Sequence, residues 1–493
     1  MVNRSFIWFG LVGLMWMSAC NDTESSKDEN DSDCIGDNCT GGDGDTDSDT
    51  DSDTDNDTDS DTDSDTDTDA DSDADTDSDT DQTPRDYPTN IFDSCKDAPA
   101  LRQSASDIIA ASNKFGINLF KKVLDRADGQ NVSISPISLH TVWSMLYNGV
   151  RDEAATELKS ALALDDMELS AVNEGYRELL TAIGTQDEEV TVEQADSIWI
   201  SNTYADLVVP EFLQQSETTF DAGATVLDFG AETAADTING WVKDNTGGHI
   251  DNLVESPIGP DVAMYLIDAL YFAAPWTFQF DPEATTTEAF TTLDGQSKDV
   301  EMMHIEAGIR YYEDENIQMV EIPYAWGIYA MSIILPKEGV DMTDVVAGMS
   351  PETFQSQLDA SRIYEVTLSL PKFEVAFDAI NGDSKEFVNA LKDLGINLVF
   401  EPSANYLSGV IEAAPDMPAN VSDVKQKTYL KVQEDGAEAA AASMIEISIT
   451  IDGGGTPSKT MTVNRPFLYT IHDRCQDGIL FLGRITDPPP VSE

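Results

Sequence analysis

Basic residues are scarce: 27 Lys and Arg stand against 93 Asp and Glu over 493 residues, a formal net charge of −66. Such a chain repels polyanions, so nucleic acid is excluded as a partner. Histidine is scarcer still, limited to His140, His249, His304 and His472. None lies in a His-Glu-x-x-His helix, which removes zinc hydrolases of that type. Also missing are the Gly-x-Ser-x-Gly nucleophile elbow, the phosphate-cradling Gly-Lys-Ser/Thr loop and the dinucleotide glycine fingerprint. The run Gly453-Gly454-Gly455 has no strand-to-helix setting and reads as a flexible link. These absences argue against an enzyme, and no cofactor or metal site is expected.

The charge is unevenly placed. Residues 21–90 hold 28 acids against Lys27 and Arg85, while residues 91–493 hold 65 acids and 24 bases. From 43 to 81 the chain is an Asp-Ser/Thr repeat with almost no apolar side chains. It cannot bury enough surface to offset its ordering entropy, so a disordered, self-repelling stalk is expected over 20–94. Alternate aspartates resemble parts of calcium loops, but the glycine and the bidentate glutamate that such loops need are absent from the repeat.

At the N-terminus, Asn3-Arg4 precedes an apolar run over 6–17 and then Ser18-Ala19-Cys20. A positive start, a short apolar core and small residues describe an export signal over 1–19. A cysteine directly after Ser-Ala is similar to the lipobox of bacterial lipoproteins. That similarity implies a lipid on Cys20, a membrane as partner and a location on the cell envelope. An ordinary cleaved signal with a chance cysteine is the competing reading. Four cysteines remain, and their even number in an exported chain favours disulfides over metal ligation. Cys34 and Cys39 enclose a short turn and could close locally, leaving Cys95 and Cys475 to join the start of the folded part to its end. Free buried thiols are the alternative.

From about residue 90 the composition becomes that of a globular protein. Ile108, Ala111, Phe115, Leu119 and Val123 recur at helical spacing over 107–126. Apolar strand candidates follow at 263–272, 329–335 and 366–370, and 467–471 with 479–482 reads as a hairpin. Helical and strand patterns are interspersed with no second linker, so one large α+β domain is expected.

The segment after Glu434 is the most unusual. Read with a period of two, Ala437, Ala439, Ala441, Ser443, Ile445, Ile447 and Ile449 form one set, small or apolar except for Ser443. Glu438, Ala440, Ala442, Met444, Glu446 and Ser448 form the other and carry both charges. As a strand, the segment would bury one face and wet the other. The alanines also suit a helix. Period and composition leave helix, ordinary strand and inserting strand open.

The segment resembles the hinge and reactive loop of serpins, in which an acidic pair and Gly lead into Thr-Glu-Ala-Ala-Ala. Further matches occur in serpin order along 95–488. They include Asn131-Val-Ser-Ile-Ser-Pro-Ile-Ser138, Ile238-Asn-Gly-Trp-Val, Thr246-Gly-Gly-His-Ile250, and Leu270-Tyr-Phe with Trp276 and Phe280. Glu321-Ile-Pro-Tyr324, Leu370-Pro-Lys-Phe373, Asn464-Arg-Pro-Phe467 and Phe481-Leu-Gly-Arg484 complete the series. The resemblance implies a serpin fold: a large mixed sheet A, smaller sheets B and C, eight or nine helices and an exposed reactive loop, with a short tail over 489–493.

It further implies a monomeric inhibitor that traps an attacking serine-type protease as its hinge, Glu434 and Gly436 to Ser443, enters sheet A. Family spacing from Gly436 puts the reactive bond at Thr450–Ile451. The loop is longer than the family pattern, so cleavage from Ser448 to Asp452 is expected. No basic side chain stands there, which points to an elastase-like or subtilisin-like target. A noninhibitory serpin that binds or carries is the competing expectation. The family usually has Asn in the strand before the buried Trp276 and His ten residues before the hinge glycine, meeting beneath the sheet near Ser135 and Ser138. Here Asp268 and Gln426 stand in their places, with Gln426 and the serine hydroxyls as the expected donors to the carboxylate.

Overall fold

The computed structural model describes residues 94–491 except 97, 184–186, 251, 261, 379, 382, 413–414 and 438–457. Cys20, Cys34, Cys39, the Asp-Ser/Thr tract, hinge residues Glu438, Ala439, Ala440, Ala441, Ala442 and Ser443, and the Thr450–Ile451 bond lie outside the described residues.

Nine α-helices and two sheets make up the α+β fold among the described residues. The helix Gln103–Leu124 buries Ile108, Ala111, Phe115, Leu119 and Val123, the stripe that its spacing dictates. Lys121 and Lys122 sit in its last turn, where they complement the helix dipole. The helix Pro136–Tyr147 opens on Ser135, whose Oγ accepts from the Ser138 N–H at 3.3 Å, with Pro136 pre-set for the first turn. It is buried from Pro136 to Leu146, with Ser138, His140, Thr141 and Ser144 enclosed among its apolar side chains. Gly116 lets these two helices touch: a Cβ there would stand 2.3 Å from Pro136 Cβ.

The six-stranded sheet runs in the order Phe373–Phe377, Asp423–Gln433, Gly436–Ala437, Met264–Pro275, Thr191–Ser201 and Gly223–Leu227. Its inner face, with Leu266, Leu270 and Phe272, packs on the main core. Its outer face, with Tyr265, Ile267 and Ala269, is covered by the helix Ala234–Asn245 and the segment after it. Asn239 fixes that segment, because its Oδ1 accepts from the N–H groups of Leu253 and Val254, each at 2.8 Å.

The other sheet has nine strands. The two smaller sheets expected from the sequence run into one another through the 17-residue strand Ser297–Glu313. This strand pairs with Thr286–Thr291 at its start, Arg362–Pro371 along its middle and Ile317–Pro323 over its last four residues. The hairpin Phe467–Asp473 and Ile479–Ile485 lies wholly buried within this sheet. Cys475, in the turn of that hairpin, is bonded to Cys95, 380 residues away, with an S–S distance of 2.17 Å.

Candidate functional site

The strands Asp423–Gln433 and Met264–Pro275 form a parallel seam from Asp423↔Tyr265 to Tyr429↔Tyr271. Above Tyr429 and Tyr271 the two strands part. Into the gap comes Gly436–Ala437, antiparallel to both neighbours: Ala437 is level with Val432 on one side and Ala274 on the other. Ala437 is fully buried and belongs to the main core. A larger or charged side chain would have no room or no solvation there.

Gly436 has φ +149°, and a Cβ on it would lie 2.1 Å from the Ala274 carbonyl oxygen. Only glycine can make that approach. The turn before it is clamped on its carbonyls. Trp276 Nε1 donates to the Gln433 carbonyl at 2.9 Å, and the Trp276 N–H to that of Asp435 at 2.9 Å. The Phe280 N–H donates to the Glu434 carbonyl at 3.2 Å. Trp276 itself is buried and stacked on Tyr324, ring centroids 4.3 Å apart. Glu434 accepts from Thr285 Oγ1 at 2.7 Å and faces Lys372 Nζ at 3.2 Å. Burial would raise its carboxyl, but Thr285, backbone N–H and Lys372 outweigh that and hold it below the usual range.

Lower in the seam, Gln426 is level with Asp268, and its Nε2 donates to Asp268 Oδ1 at 2.8 Å. Both side chains are buried. Of the two serine hydroxyls expected beside Asp268, Ser138 does act on that carboxyl, while its shorter bond goes elsewhere. Ser135 Oγ caps its own helix, and Ser138 Oγ donates to Asp196 Oδ1 at 3.1 Å. Sequence reasoning missed Asp196, which lies directly across from Asp268 on the antiparallel strand Thr191–Ser201. A clue existed: Asp196 shares its parity with Ile198 and Ile200, so it had to point inward with them.

Two buried carboxyls thus stand side by side. Burial pushes Asp268 up to about 7, against Ser138 and Gln426, which draw it down. Burial and then the charge of Asp268 push Asp196 well above the carboxylate range, against Gln194 and Ser138. Like charges at such a site cannot both form readily, so the pair retains a proton into the neutral range. Among the described residues, no group of three or more His, Cys, Asp or Glu is placed to hold a metal ion.

The six-stranded sheet is thus parted at one end, with a glycine-led segment seated in the gap. The family model described as Serpin (serine protease inhibitor) matches residues 110–488, and the chain belongs to the serpin family. Iripin-2 of Ixodes ricinus is 30% identical over 390 residues, covering 78% of this chain and 94% of that protein. The leukocyte elastase inhibitor of Bos taurus is 29% identical over 395 residues, covering 77% and 99%. The native-state crystal structure of tengpin, a thermophilic serpin, matches with a TM-score of 0.69 at 28% identity, covering 79% of this chain and 95% of that one. Serpins are protease inhibitors rather than enzymes.

Proposed function

We propose that this serpin inhibits a serine-type endopeptidase by covalent trapping, with the reactive loop inserting into the six-stranded sheet. The observation that carries the reading is the seating of Gly436 and Ala437 between the seam strands. The protease serine oxygen attacks the Thr450 carbonyl carbon, the Thr450–Ile451 amide breaks, and the nitrogen leaves protonated while an ester joins the two proteins. Insertion from Ala437 to Thr450 then proceeds as a new strand, the loop-insertion transition for which serpins are a standard example. About fourteen residues at ~3.3 Å each carry the protease roughly 45 Å.

The register supports this course. Each step along the loop from Ala437 moves one residue back from Ala274 and one back from Val432. Continued to Ser443, the sums reach Asp268 and Gln426. The single polar residue of the inward set therefore comes level with the buried polar pair; Ala437 and Ala439 come level with apolar neighbours only, and Ala441 with Leu270 and the buried Thr428.

Residues from Ser448 to Asp452 offer no basic side chain, which favours an elastase-like or subtilisin-like target. The name of the Bos taurus relative agrees with the elastase class. In this reading a monomer is tethered by lipid at Cys20 and held off the envelope by the acidic stalk. Incubation with an elastase and with a subtilisin tests the mechanism: an SDS-resistant complex is expected. Rapid cleavage without complex points to a noninhibitory binding or carrier module, and a cut after Lys or Arg refutes the target class. Release of the protein from membranes by Cys20→Ala tests the tether.

A further inference from the structure

Two buried acceptors at the seam, Asp268 Oδ2 and Gln426 Oε1, have no hydrogen-bond partner among the described residues. They belong to the two side chains already joined through Gln426 Nε2 and Asp268 Oδ1. Buried polar atoms are rarely left unpaired, because an acceptor taken out of water without a partner loses its solvation with nothing in exchange. An acid and a primary amide joined by one bond need only a proton on the free carboxyl oxygen to form a second.

We propose that a proton on Asp268 Oδ2 closes a two-bond clasp with Gln426 across the seam, and that its loss to solvent loosens the seam. In the closed form Gln426 Nε2 donates to Oδ1 while the Oδ2 hydroxyl donates to Gln426 Oε1. In the ionised form the second bond is gone, and a charged oxygen and an amide oxygen are left in one buried space. Asp196, directly opposite, is held protonated by burial and then by that charge. The clasp lies midway along the paired stretch, which an inserting strand must open.

Few other ionisable groups bear on it. On the helix beneath, His140 is turned away: Nε2 faces the Leu162 carbonyl at 2.9 Å and Nδ1 the Tyr176 hydroxyl at 2.5 Å, and burial lowers it to about 4. Tyr176, on the helix Leu169–Ala182, is also hydrogen-bonded to Ser144 at 3.1 Å and stays protonated, since burial raises it far above neutrality. Lys425 and Lys427 flank Gln426 in sequence but alternate to the other face, where Lys425 pairs with Asp423 at 3.0 Å. The upward displacement of the Asp268 carboxyl to about 7 puts the change within the physiological range.

Control of inhibition by this clasp rests on the insertion reading above, whereas the clasp itself does not. Hydrogen exchange of the full chain, normalised to intrinsic rates, tests it between about pH 5.5 and about pH 8.5, either side of the titration. Amides of 265–271 and 423–429 are expected to lose about five- to tenfold protection towards the alkaline end, the worth of one buried hydrogen bond. Asp268→Asn, whose Nδ2–H replaces the acid O–H, keeps high protection throughout. Gln426→Leu gives low protection throughout and serves if the first variant does not fold. Flat protection in the natural chain, or an unchanged pH response in either variant, overturns the proposal. No protease is present, so failure to trap one refutes the inhibitor reading and leaves this result standing.

Discussion

Gly436 packs against Ala274 with no room for a side chain: a Cβ would stand 2.1 Å from the Ala274 carbonyl oxygen. The contact pins the hinge at the mouth of the seam. Gly436→Ala adds that clash to an unfavourable φ, a strain of about 1–3 kcal/mol. The variant is expected to expel the hinge and slow insertion by about five- to hundredfold. Trp276 fluorescence, sensitive to the Gln433 bond, reports the first effect, and the ratio of trapped to released protease the second.

Ser443 tests the register. Ser443→Glu would bring a carboxylate level with Asp268, where burying an unpaired charge costs several kcal/mol. Cleavage is expected to replace trapping almost completely on an SDS gel, while Ser443→Ala keeps most of the trapping. Equal trapping by both variants would show that the strand enters in another register.

Asp268→Ala removes the acceptor of the Gln426 bond and leaves the loop untouched. Loop insertion is expected to change by about fivefold or more, in the faster direction, with protease docking unaltered. Stopped-flow separation of the second-order docking step from the first-order insertion step checks this. Equal effects on both steps would contradict it.

Stability should depend on pH in two opposed limbs. The Asp268 carboxyl rises from 3.8 to about 7 in the folded state. Its contribution is therefore full below about 4 and lost as pH climbs to about 7. Glu321 behaves oppositely. Burial would raise it, but His472, Arg474 and Arg310 bring it down to about 2. Its contribution is full above about 4.5 and lost as pH falls towards about 2. Arg474 Nε lies 2.7 Å from its Oε1, so Glu321→Gln leaves a buried cation poorly paired and costs about 3 kcal/mol at neutral pH. Urea unfolding across the pH range should show the acid limb flattened in Glu321→Gln and the neutral limb flattened in Asp268→Asn.

Much of this was legible in residue order. The stripe from Ile108 to Val123 marked its helix, and the apolar run at 329–335 became the fully buried strand Tyr329–Pro336. Of the small inward set, only Ala437 lies among the described residues, and it is seated in the sheet. What stayed hidden depends on register between distant strands. Asp196 and Asp268 are 72 positions apart, and only the antiparallel ladder makes them neighbours. The cluster around Glu321 draws on two further segments, one with Arg310 and one with His472 and Arg474, and a lone glutamate in an apolar strand does not announce its cations. The fusion of the smaller sheets escaped notice because one long strand changes partners along its length, and its buried positions change parity at Met302 and Met303, which are both inward.

The Cys95–Cys475 bond gives the cut chain an unusual fate. A break between Thr450 and Ile451 would divide the polypeptide into two pieces, yet Cys475 lies in the second and Cys95 in the first. The pieces therefore stay one covalent molecule until a reductant reaches the sulfurs. Mass would rise by a single water in a simple hydrolysis, and a nonreducing gel would show no small fragment. If the first piece is also fixed to a membrane, spent inhibitor, severed tail and captured protease remain together where the encounter took place.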